Sequence, residues 1–205
     1  AHQLNPSIFK QLWLVRNGIV DEDDFGDGCL FSDPIVKVES GRFGLLVVPP
    51  QLQFVPKVPP KEQEQLIVEK VGAVVEALPH TPYTAVGLNF FWHLRPEDGN
   101  VAALTRQLFH VPDKPLFRQF ESEDSRFGGY FSKAILGCRL KLDIKPILLP
   151  PEEGEENNEV LQFAFNFHLD VPQEGEDAVK CIQRQLKHWN EARDKATQIV
   201  EEATS

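Results

Sequence analysis

VLQFAFNFHLDV, residues 160–171, decides how this chain folds. Read with a period of two, Leu161, Phe163, Phe165, Phe167, Leu169 and Val171 point one way. Gln162, Ala164, Asn166, His168 and Asp170 point the other. A β-strand separates alternate side chains in this manner. The apolar set is therefore expected on a core, and the polar set towards solvent, a groove or a partner.

A second segment repeats the pattern. Tyr83–Arg95 sets Val86, Leu88, Phe90, Trp92 and Leu94 on one face and Gly87, Asn89, Phe91, His93 and Arg95 on the other. Shorter strands are expected at Ser7–Val15, Ile35–Glu39, Phe43–Val48 and Leu52–Val55, then at Arg126–Leu136 and Cys138–Leu148, with an edge strand at Leu116–Phe120. Asn17-Gly18 and Ser40-Gly41 read as tight turns, because Gly and Asn tolerate positive φ. Gly128-Gly129 marks a bulge or a close backbone approach.

Three segments carry helical spacing. Lys61–Leu78 repeats Leu66, Ile67, Val71, Val74, Val75 and Leu78, and Pro79 stops it. Asn100–Phe109 is a shorter helix, preceded by acidic residues that suit the positive end of its dipole. The last runs from Glu174 to Ala203 with Val179, Ile182, Leu186, Trp189, Ala196, Ile199 and Val200 in one stripe. Unbroken, it would be ~45 Å long.

No glycine fingerprint follows a strand, and strand and helix do not alternate regularly, so a doubly wound parallel fold is disfavoured. The expected class is α+β: one domain, 1–205, with a mostly antiparallel sheet, helices packed on one face and a long C-terminal helix. Strands followed by a helix occur twice, suggesting pseudo-repeat halves at 1–78 and 79–205. The order in the second half resembles one repeat of the saddle-shaped fold of TATA-binding proteins, a likeness of order alone that implies no function.

Acidic residues outnumber basic ones by 31 to 21, a formal net charge of −10, and Lys and Arg do not cluster along the chain. General affinity for nucleic acid or anionic membrane is therefore not expected. Three widely spaced cysteines, Cys29, Cys138 and Cys181, fit reduced thiols rather than a disulfide framework or a zinc knuckle. Asp21–Gly28, DEDDFGDG, fails as a calcium loop, with Phe25 at the third ligand position and Ser32 where a bidentate Glu belongs. The start of the sequence has no charged and apolar leader pattern. No apolar run approaches the ~20 residues of a spanning helix. A cytoplasmic protein is expected, with no metal and no cofactor.

Chemistry, if any, is expected on the polar faces of the two long strands. Asn89, His93 and Arg95 lie on one, and Asn166, His168 and Asp170 on the other. On neighbouring strands such side chains approach to ~5 Å, and a His beside Asp or Asn serves as a general base or an oriented ligand. No sequence template supplies a nucleophile: GxSxG, HExxH, a Walker loop and CxxC are all absent.

Leu78–Leu94, LPHTPYTAVGLNFFWHL, together with Pro49–Phe54 and Phe165–Asp170, resembles segments in a group of bacterial proteins of unassigned function. The resemblance implies a bacterial or phage origin and a soluble protein, and transfers no catalytic residue. Two functions are weighed. The first is a non-catalytic binding or assembly protein with an acidic surface, whose partner is a basic protein recognised through charge complementarity, or a second copy through the C-terminal helix. The second is a hydrolase or small-ligand binder using the His/Asn/Asp face.

Overall fold

The structure, a computed structural model, describes residues 4–150, 158–171 and 178–204. It is an α+β fold with five α-helices and two four-stranded antiparallel sheets among these residues. The expected helix start at Glu174 falls outside them. Among the described residues no helix is long and apolar enough to cross a membrane.

Two sheets replace the single one expected. The first is a meander of β1 (Leu30–Phe31), β2 (Val36–Glu39), β3 (Phe43–Val48) and β4 (Gln51–Pro56) in that spatial order. The second has the order β5-β8-β7-β6, from β5 (Ala85–Leu94), β6 (Gly129–Ile135), β7 (Cys138–Leu148) and β8 (Glu159–Asp170). Pro56 and Pro59-Pro60 end the first meander, since proline cannot continue a ladder. The next strand joins β8 instead. The chain divides into two compact units, one of residues up to Val86 with Asp170–Glu191, the other of Gly87–Leu169 with the residues from Ala192 onward.

In the first unit β2 and β3 bury Val36, Val38, Phe43, Leu45 and Val47, joined by Phe9, Leu14, Ile19 and Val20. Phe43 stacks on Phe54 with ring centroids 5.0 Å apart. From helix α2 (Pro60–Ala77), Leu66 and Val74 complete the cluster. The strand expected at Ser7–Val15 is instead a 3₁₀ turn, Pro6–Ile8, and helix α1, Gln11–Arg16. The decisive groups flank it. Asn5 caps the turn through its Oδ1, accepting from Ser7 N–H at 3.1 Å.

Gly18, at φ +66°, ends α1 rather than turning a hairpin. Its N–H donates to Val15 O, and Ile19 N–H donates to Leu14 O, both at 3.0 Å. That double closure is a Schellman cap. Its partners Leu14 and Ile19 are both in the core. Lys70 of α2 is buried and donates to Gly18 O at 3.1 Å, with Glu69 and Asp21 carboxylates at 3.1 and 3.7 Å to balance its charge.

In the second unit the apolar alternation holds as expected. Phe163, Phe165 and Phe167 of β8 are buried, as are Leu140, Leu142 and Ile144 of β7 and Leu88 and Phe90 of β5. Edge-to-face pairs lock the layer, Trp92 to Phe165 at 5.3 Å and Phe90 to Phe167 at 6.0 Å. Helix α3 (Val101–Phe109), capped by Asn100, buries Val101, Ala102 and Thr105. A Cβ at Gly128 would run into Ile144 O, so the expected close approach is real.

The edge strand expected at Leu116–Phe120 is a 3₁₀ turn, Phe117–Gln119. Phe117 there packs against His110 and Phe127.

The long C-terminal helix is two helices, α4 (Ala178–Leu186) and α5 (Trp189–Thr204). Side chains of α2 accept at the break. Glu64 takes Asn190 N–H at 2.9 Å, and Gln63 takes Trp189 Nε1–H at 3.1 Å. Glu64 thereby meets a backbone donor that a new helix start leaves free. In α5, Ala192, Ala196 and Val200 are buried.

Phe165→Ala is expected to lower unfolding free energy by about 3–5 kcal/mol, as truncating a buried ring does. His168→Ala, on the opposite face, should stay within about 0.5 kcal/mol. Urea denaturation checks both, and an inverted order would place the core on the other face of β8.

Candidate functional site

Pairing between β7 and β8 sets Arg139 opposite His168, Lys141 opposite Asn166, Asp143 opposite Ala164 and Lys145 opposite Gln162. On β6, Tyr130 lies opposite Asp143 and Ser132 opposite Lys141. Parity puts all of these on the face away from the phenylalanine layer. β5 adds Asn89, Phe91 and His93, all exposed. The result is an open polar sheet face with an aromatic ring on each outer strand: Phe91, 62% exposed, and Tyr130, 65% exposed.

The sequence-derived candidates occupy this face, but not as one cluster. Contacts show how β5 meets β8. Arg95 donates to Asn158 Oδ1, His93 Nε2 lies 3.1 Å from Gln162 Nε2, and Asn89 and Asn166 flank Gly87. Residues 95, 93 and 87 thus fall level with successively later residues of β8, an antiparallel pairing. His93 therefore sits beside Gln162, six residues from His168. At ~3.3 Å per residue they are about 20 Å apart. Asp170 is exposed at the far end of β8. The close pair is Asn89 with Asn166. A Cβ built on Gly87 would lie 3.4 Å from Asn166 Nδ2 and 3.7 Å from Asn89 Nδ2.

Asn166 holds the most unusual group here. Its Oδ1 is buried and has no hydrogen-bond partner. An unsatisfied buried acceptor costs roughly 1–3 kcal/mol, and each such group in a folded protein calls for a reason.

The cations of the face were missed by sequence reading, although their alternation with Leu140, Leu142 and Ile144 was plain. The signal was parity between neighbouring strands, which needs the register. Arg139 Nε donates to Ser132 Oγ at 2.6 Å, and Lys145 meets Asp143 at 2.6 Å. Off this face, where β8 begins, Arg126 clasps Glu159, which shares the parity of Phe163, through two nitrogens at 2.5 and 2.9 Å. Those hydrogen bonds hold the guanidinium above its usual pKa. Asp124 is held below the usual carboxylate range, first by its bond with Ser122.

The Ser132 hydroxyl accepts from arginine, with no histidine opposite it in the register. Among the described residues no three His, Cys, Asp or Glu side chains converge to hold a metal ion. The three cysteines are free thiols, Cys138 and Cys181 buried and Cys29 half-buried. What the face can do chemically is donate and accept hydrogen bonds over a broad area, stack on two rings and attract negative charge.

Replacing Asn166 with Val should leave stability unchanged or raise it, because the orphaned oxygen leaves and Val suits a strand. A urea midpoint lowered by more than about 1 kcal/mol equivalent would show the carboxamide to be paired. Set against protein-family models, curated proteins and solved structures, the chain matches none.

Proposed function

We propose that this chain is a non-catalytic binding or assembly protein and that the open face of its second sheet is the contact surface. One observation carries the reading: four strands present hydrogen-bonding side chains, two exposed aromatics and the cations Arg139, Lys141 and Lys145 on one flank, while the other flank carries the buried phenylalanines. Exposed Tyr and Phe between polar neighbours are the anchor type of protein interfaces. The alternative, a hydrolase or small-ligand site, would draw on His93 and His168, and these stand too far apart to act on one substrate atom.

The partner expected is a protein surface with negative charge opposite Arg139, Lys141 and Lys145. Rim charges of this kind steer encounter and set partner choice more than they add affinity.

Photo-crosslinking amino acids placed at positions 91 and 130 test this in the native host, with position 55, exposed on the first unit, as control. A discrete adduct from 91 and 130, lost on Arg139→Glu and absent from 55, is the expected result. An adduct of twice the chain's mass would identify a second copy as the partner. Equal labelling at all three positions, or none at 91 and 130, would overturn the proposal.

A further inference from the structure

On the other side of the second sheet lies a cavity of about 380 Å³. Its walls are entirely aliphatic or aromatic, among them Phe109 of α3, Phe131 of β6, Leu142 of β7, Phe163 of β8 and Ile199 and Ala203 of α5. Phe131 is half exposed, which puts it at the mouth. Phe109 lies beside it, ring centroids 6.3 Å apart.

Close-packed interiors do not leave such a volume between helices and a sheet without consequence. The side chains that line it carry no hydrogen-bonding group, and apolar cavities take apolar guests. At ~30 Å³ for each water-sized group, it has room for roughly a dozen. A cation stands on the strand that forms the mouth. Lys133 follows Phe131 on the same face of β6, opposite buried Leu140, and its side chain reaches solvent. Among the described residues it makes no hydrogen bond or ion pair. An apolar cavity with an exposed cation next along the strand at its mouth matches an amphiphile with a negative head.

We propose that this cavity binds the chain of a medium-length aliphatic carboxylate, about ten carbons long, with the carboxylate at Lys133. The site is separate from the open face and does not depend on its role. Stacked between α3, α5 and the sheet, the ligand would replace a void with carbon contacts.

Decanoate and decanol are the probes, added to the full chain and followed by calorimetry and by methyl resonances. Decanoate is expected to bind saturably at one site. It should shift the methyls of Leu142 and Ile199 while leaving those of Val36 and Val38 unmoved. Lys133→Ala should weaken decanoate about two- to fivefold, the range of an exposed ion pair, and leave decanol unchanged. Ala203→Trp, which fills the cavity, should abolish both. The methyl shifts are read on the unaltered protein, so they decide the matter even if the tryptophan variant fails to fold. No saturable binding, shifts centred elsewhere, or undiminished binding to a folded Ala203→Trp variant would overturn the proposal.

Discussion

The burial of Phe163, Phe165 and Phe167 on one side of a single strand is the constraint from which the second unit follows. Three rings on alternate positions cannot be exposed together without a large hydrophobic cost, roughly 1.5–3 kcal/mol each. A slip of one residue would turn all three into water. The register of β8 against β7 is therefore fixed, and with it the partner of every polar side chain on the other flank. Trp92 and Phe90 reach the same rings edge-on, so β5 is held in register by the same layer. The open face owes its composition to a decision made on the closed one.

That dependence explains what the candidate residues became. Parity is a property of one strand, and it was readable for both long strands. Pairing direction and offset belong to two strands at once. Antiparallel pairing carries His93 and His168 to opposite ends of the face and leaves Asn89 beside Asn166. A polar list drawn from two strands gives the members of a face but not its neighbours. The same limit hid Arg139, Lys141 and Lys145, whose alternation was visible but whose side of the sheet was not.

The errors in the first unit have a different origin. A short apolar run such as Ser7–Val15 suits strand or helix, and periodicity does not arbitrate at that length. What decided was capping: Asn5 before Pro6, and Gly18 after Asn17. Gly18 needs positive φ in a hairpin turn and in a Schellman cap alike, so the residue was rightly noticed and wrongly placed. The break between α4 and α5 was hidden for a related reason. The groups that receive the new helix start, Gln63 and Glu64, lie about 126 residues back in the chain. Local spacing carries no trace of them. Elements closed by their own apolar period, such as β3, β7, β8 and α2, were legible nearly to the residue.

Net charge asks for the same distinction between sum and place. A total of −10 argues against a polyanion attracted from a distance. At physiological salt, however, an exposed charge is felt over only about 8 Å. A partner in contact with the open sheet face meets Arg139, Lys141 and Lys145 with two carboxylates, Asp143, already engaged by lysine, and Asp170 at the far end of β8. Acidic residues elsewhere are screened from that contact. Composition therefore bounds what approaches the protein from far away, while the parity of β7 sets the charges that this face presents at short range. An acidic chain can in this way present a cationic row, provided the row is built on alternate residues of a strand whose other face is locked in the core.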